Sequence, residues 1–221
     1  RNVMKKILLP LLLILAVGVL AAVESEPSEI VGYVKYNCYN GFNYVALPMG
    51  DLTTAEVIGN QYLPTITAIS KWMSANQSWT SINYDPDFGE WDGTIPVTNG
   101  DVIVMFATSG FSFYSLGNPL DNIVYNINPG YNYISVPLNL SVIHNAETIG
   151  NEIGNISAVS VWSNLNQSWL TINYDPDFGE WDGTIPVGIG DVVVLYGTST
   201  TSWPTRNIEI PLKDAKSFIR K

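Results

Sequence analysis

Four carboxylates fall within eight residues at Asp85, Asp87, Glu90 and Asp92, and four more at Asp175, Asp177, Glu180 and Asp182. Spacing of the D-x-D kind aims alternate side chains toward one point, and calcium takes several such oxygens in a turn. Gly89 and Gly93 let the backbone fold tightly and offer carbonyls. Both loops are therefore candidate calcium sites, and calcium is the one cofactor the residues point to. The string departs from the EF-hand loop, with no acid at its fifth and twelfth positions, and Pro86 stiffens its start. The competing reading is a solvated acidic turn that Phe88 and Trp91 pin to the core.

Two tryptophan pairs come next. If Ser74 to Gln77 is a turn, Trp72 and Trp79 face each other across a hairpin, as do Trp162 and Trp169. Their side of the sheet also carries Ala68, Ser70, Ser81 and Asn83. The opposite side carries Ile69, Ile82 and Tyr84 and is the better candidate for a core. Indoles among amides and hydroxyls suit stacking on sugar rings, so the four tryptophans form a candidate neutral-glycan site. The alternative is that a short helix covers this face, with Ala68 and Ser70 giving it room. Large aromatics are usually buried against something.

Other chemistry finds little to work with. His144 is the lone histidine and Cys38 the lone cysteine, so zinc ligands are lacking and a His-based triad cannot occur twice. Paired carboxylates have no cleft-forming length around them. The chain reads as no enzyme. Four N-x-S strings begin at Asn76, Asn139, Asn155 and Asn166. Asn76 and Asn166 occupy the hairpin turns, and that role alone explains them.

The elements that must position these residues occur twice. INYDPDFGEWDGTIPV runs from Ile82 to Val97 and again from Ile172 to Val187, each preceded by NQSW. GFNYVALP from Gly41 matches GYNYISVP from Gly130, and GDVIVMFATS from Gly100 matches GDVVVLYGTS from Gly190. Cys38 aligns with Ile127 and Phe113 with Trp203, which gives Cys38 a buried apolar role. The unit of about ninety residues is right for a small domain.

Within it, Ile30 to Asn37, Phe42 to Pro48, Thr65 to Trp72, Ser78 to Tyr84, Thr94 to Val97 and Asp101 to Thr108 read as strands. Thr53 to Glu56 has the pattern of a capping box, so Thr54 to Asn60 reads as a short helix. Gly110 to Leu120 reads as a link between units. Related strings at Asn122 to Ile127 and Asn207 to Leu212 leave three options. Each unit is closed by the strand that follows it, or a third unit begins, or a spare strand pairs with a neighbouring molecule.

Met4 begins a segment with Lys5 and Lys6, an apolar run from Ile7 to Leu20 and small residues at Ala21 and Ala22. Residues 4–22 therefore read as an export signal, too short and too proline-broken for a spanning helix. Its removal leaves seven basic residues against twenty acidic ones, a net charge near −13. Such a surface repels nucleic acid and anionic lipid. It leaves as partners other surface proteins, a second copy of the chain, or neutral glycans, with membrane contact only through the export signal. A single cysteine precludes an intrachain disulfide.

The elements G-[FY]-N-x-[IV]-[SA]-[LV]-P, a T-A-E helix, W-x-x-x-x-Q-S-W and N-G-D stand here at Gly41 to Pro48, Thr54 to Glu56, Trp72 to Trp79 and Asn99 to Asp101. This pattern resembles tandem Trp/Asp-rich repeat modules of large secreted or cell-surface prokaryotic proteins. The resemblance implies a non-catalytic accessory or structural role and no particular activity. The expectation is a mainly β chain of two tandem homologous domains, 29–115 and 120–213, with a tail over 214–221. Each domain is a sandwich or barrel of about six strands with one short helix. The expected role is adhesion, assembly or spacing outside the cell, with carbohydrate binding or calcium-stabilised spacing as alternatives.

Overall fold

Runs of alternating or continuous apolar residues build one five-stranded antiparallel sheet in each repeat. The computed structural model describes residues 32–47, 53–117, 123–136 and 145–204. The export signal, the tail, the Asn207 to Leu212 string, His144 and Asn139 lie outside them. The chain is mainly β, with one short helix in each repeat.

In the first repeat the strands are β1 (Gly32–Cys38), β2 (Gly41–Ala46), β3 (Thr53–Thr54), β4 (Ile66–Met73), β5 (Ser78–Asp85), β6 (Glu90–Trp91), β7 (Pro96–Val97), β8 (Val102–Ala107) and β9 (Phe111–Gly117), with α1 (Ala55–Asn60) after β3. The sheet runs β2-β8-β4-β5-β6, while β1 pairs with β9 and β3 with β7. The second repeat has β10 (Tyr125–Ile127), β11 (Gly130–Ser135), α2 (Ala146–Ile153), β12 (Ile156–Ser163), β13 (Ser168–Asp175), β14 (Glu180–Trp181), β15 (Val192–Gly197) and β16 (Thr201–Trp203). Its sheet runs β11-β15-β12-β13-β14, and β10 pairs with β16.

Each repeat has its own core. In the first, Ile69, Ile82, Ile103 and Met105 of the sheet pack with Ala55 and Ile58 of α1 and with Cys38 and Phe113 of the β1–β9 ribbon. The second repeats this with Val159, Ile172, Val193 and Leu195 against Ile149, Ile127 and Trp203. Helix and ribbon thus lie on the isoleucine side of the sheet. The expectation that the helix covers the tryptophan side is overturned, because Ala55 and Ile58 carry its apolar contacts to the other face. All described residues nonetheless belong to one compact unit.

Three local expectations change. Gly110 to Leu120 is not a mere link: β9 runs antiparallel to β1 from Gly32↔Gly117 to Cys38↔Phe111. Each repeat is therefore closed by its own first strand, and Tyr125↔Trp203 repeats the pairing. At α1, Thr54 makes no side-chain cap bond; the Glu56 carboxylate instead takes the hydroxyl of Thr94. Only α2 has a side-chain cap, Asn145 Oδ1 accepting from Thr148 N at 3.1 Å.

Candidate functional site

The β4–β5 hairpin turns at Ser74 to Gln77 and places Trp72 directly opposite Trp79. Trp162 and Trp169 pair in the same way. The indoles meet edge to face, with centroids 5.3 Å and 5.0 Å apart. Neither pair is an open platform for sugar. Tyr133 of the second repeat packs on Trp72 at 4.5 Å and on Trp79 at 4.8 Å. Tyr44 of the first repeat packs on Trp162 and Trp169, both at 4.8 Å. Trp72 is only 7% exposed, and the other three indoles are half-buried. What covers the tryptophans is the other repeat, because aromatic edges and faces of opposite partial charge gain most when water is excluded from both. Ala46, Val102 and Val192 extend this junction.

The hairpin turns also serve it. Strands β2 and β11 are the outer edges of their sheets, and an edge exposes unpaired backbone groups. Gln167 Oε1 accepts from Phe42 N at 2.7 Å, and Gln167 Nε2 donates to Phe42 O at 2.8 Å. Reciprocally, Gln77 Oε1 accepts from Tyr131 N at 3.0 Å and its Nε2 donates to Pro129 O at 3.0 Å. Asn164 Oδ1 adds an acceptor for Tyr44 N at 3.1 Å, and Trp162 Nε1 donates to Phe42 O at 3.2 Å. The side-chain amide of each turn therefore stands in for a further strand on the other repeat. Gln77 and Gln167 hold φ of 50° to do so. Tyr36 OH reaches across to Gly190 O at 2.9 Å, and Tyr125 OH to Gly100 O at 3.4 Å. The glutamine and tyrosine-hydroxyl contacts recur with the repeats exchanged, whereas the Trp162 Nε1 bond does not, since Trp72 Nε1 is buried without a partner. The recurring contacts have the reciprocity of a two-fold interface, here within one chain. Burial pushes the Tyr44 hydroxyl up to about 12, with Tyr133 adding to the shift.

The acidic loops lie away from this junction, and each holds its own shape. Asp85 Oδ1 accepts from Asp87 N at 2.9 Å and Phe88 N at 3.3 Å, while Gly89 N returns to Asp85 O at 2.8 Å. Asp92 takes Asn83 N on one oxygen at 2.8 Å and Asn83 Nδ2 on the other at 3.0 Å. The side-chain and backbone hydrogen bonds from Asn83 hold the Asp92 carboxyl below its usual range. Trp91 Nε1 donates to Asn60 Oδ1 at 2.9 Å, and its ring lies so close to Gly59 that a Cβ there would sit 2.2 Å from Trp91 Cζ2. The second loop reproduces these bonds at Asp175, Asp182, Asn173 and Trp181.

Two of each loop's four carboxylates are thus spent on the loop itself, while Asp87, Glu90, Asp177 and Glu180 are exposed to solvent. Among the described residues no group of three or more His, Cys, Asp or Glu side chains is gathered to hold a metal ion. Trp91 pins the loop as expected, but Phe88 does not: Phe88 and Phe178 are each 79% exposed. The backbone donors on Asp85 turn the chain so that Phe88 lies at the loop's tip.

The chain matches no family model, no curated protein and no solved structure.

Proposed function

We propose that this chain is a non-enzymatic, secreted or cell-surface module for adhesion or assembly, folded as two small β-sandwiches fused face to face. The observation that carries this reading is the pair of exposed phenylalanines. Several exposed positions elsewhere differ between the repeats: Thr80 stands where Leu170 does, Ala75 where Leu165 does, and Ser81 where Thr171 does, although Asn76 and Ser78 recur as Asn166 and Ser168. Across Asp85 to Thr94 the exposed positions are identical in the second loop. Surface side chains away from special features change at little cost to stability. Packing therefore does not account for the identity, whereas a contact made by both loops does. A bare aromatic on a stiff turn loses little conformational freedom when it enters an apolar socket. The surrounding carboxylates favour a protein partner with Lys or Arg at the socket's rim.

Two identical loops on one rigid body gain avidity on a surface bearing repeated sockets. The test is retention of the purified chain on intact cells of the source organism. Phe88→Ala or Phe178→Ala alone should lower retention in part, and the double variant should abolish it while melting like the parent. Equal retention of parent and double variant would remove the proposal.

A further inference from the structure

The part of the tryptophan-bearing sheet face that the other repeat leaves uncovered forms, in the second repeat, an open trough of about 530 Å³. This lies within the roughly 300–1,000 Å³ typical of small-molecule sites. Tyr131 and Tyr196 stand opposite each other on β11 and β15. They are 56% and 44% exposed, and their rings meet edge to face at 5.3 Å. Beside them Ala158, Ser160, Thr171 and Asn173 continue the same face across β12 and β13. Ser160 and Thr171 share one hydrogen bond of 2.8 Å between their hydroxyls. Each hydroxyl has one donor and two acceptor positions, so that bond leaves capacity on both. Asn173 is held by Asp182 through its Nδ2, which leaves its amide oxygen as an acceptor. Among the described residues neither the Tyr131 nor the Tyr196 hydroxyl makes a hydrogen bond. No Asp, Glu, Lys or Arg lines the trough, although the chain carries twenty acidic residues.

We infer that this trough is a binding site for a neutral oligosaccharide, with Tyr131 and Tyr196 stacking on pyranose rings and Ser160, Thr171 and Asn173 bonding their hydroxyls. An uncharged lining offers no ion-pair partner to a charged ligand, and the net negative charge of the protein further disfavours anions. A polyol repays the exposed hydroxyls and the amide, which an apolar ligand would leave unpaired. Carbon–hydrogen faces of a sugar supply what exposed aromatic faces lack. The first repeat carries Phe42 and Phe106 at the matching positions, again edge to face at 5.1 Å. It keeps the Ser70–Ser81 hydroxyl pair at 2.7 Å but lacks both phenol hydroxyls. The second repeat is therefore the tighter of the two.

The site is independent of the phenylalanine loops, and its test separates the two. Calorimetric titration of the full chain with cellohexaose, xylohexaose and mannohexaose, and with hexagalacturonate as an anionic control, should show saturable binding of at least one neutral sugar and none of the control. Tyr131→Ala or Tyr196→Ala should weaken it about tenfold. Tyr131→Phe with Tyr196→Phe tests the hydroxyls without endangering the fold, since the first repeat already accepts phenylalanine there, and should also weaken binding. Phe88→Ala with Phe178→Ala should leave it unchanged. Absence of saturable heat with all three neutral sugars at millimolar concentration would overturn the inference. So would binding that survives Tyr131→Ala combined with Tyr196→Ala, or equal binding of the anionic control.

Discussion

Tyr44 and Tyr133, the same residue of the two repeats, lie face to face with ring centroids 6.3 Å apart and planes 10° from parallel. Around them the four tryptophans close in reciprocal pairs. Truncating either tyrosine removes the ring that covers two indoles of the other repeat, and an aromatic-to-alanine change at such a site costs about 3 kcal/mol. Tyr44→Ala should therefore lower the melting temperature and raise the exposure of Trp162 and Trp169 to iodide quenching. A variant that melts and quenches like the parent would show that the repeats do not depend on this junction. Tyr44 also carries a pH signature. Its folded value is raised to about 12 from the ordinary 10.0, so the unfolded chain releases the proton first. Stability from this group is complete below pH 10 and should fall as pH rises toward 12.

Gly41 has φ of +107°, and a Cβ on it would sit 2.3 Å from Gln167 Oε1. Both facts forbid a side chain where the edge strand meets the amide of the other repeat. Gly41→Ala should break the Phe42–Gln167 bonds. Amide exchange at Phe42 should accelerate sharply, while Val104 and Met105 of the adjoining strand keep most of their protection. Unchanged exchange at Phe42 would contradict the role given to Gln167.

The repeats differ at one ionic site. Lys71 Nζ meets Asp101 Oδ2 at 2.6 Å, both side chains being largely buried, and also donates to Pro96 O at 2.9 Å. Val161 replaces Lys71 in the second repeat, so among the described residues the Asp191 carboxylate keeps only the backbone bond from Gly188, at 2.7 Å. Lys71→Met should cost about 1–3 kcal/mol by removing the ion pair while Asp101 keeps its bonds from Thr98 N and Thr98 Oγ1, measured as a lowered midpoint of urea unfolding.

Burial raises the Asp191 carboxyl above the ordinary 3.8, against the opposing Gly188 bond. The folded state then holds that proton more tightly than the unfolded state. Stability gains as pH falls through the folded value and loses as pH rises through it. Asp191→Asn keeps the acceptor and removes the charge. It should melt higher than the parent at pH 7, by a margin that shrinks toward pH 4. A lower melting temperature at pH 7 would refute this account.

Burial also pushes the Cys38 thiol up to about 12, partly offset by the Phe113 backbone. With so little thiolate and no exposure, Cys38 should resist Ellman's reagent at pH 8 in the native chain and react at once in denaturant. Prompt native reaction would place it outside the core.

The duplication, the strand content, the Trp72↔Trp79 register and the burial of Cys38 were all legible in the residues, because each rests on local periodicity or on matching one repeat with the other. The loop's self-bonding was half legible. The D-x-D spacing announced a tight turn, but whether carboxylates face a cation or their own backbone depends on φ and ψ that spacing does not fix. Strand β9 was missed since Phe111 to Gly117 looks like a link until β1 supplies its partner. The fate of the tryptophans could not be read at all. An aromatic face seeks another surface, and of the two candidates the residues suggested, a helix or a sugar, neither proved to be the partner, which is the other repeat. Only the tertiary arrangement decided it, by bringing Tyr44 and Tyr133, eighty-nine positions apart, into one stack and leaving Tyr131 and Tyr196 outside it.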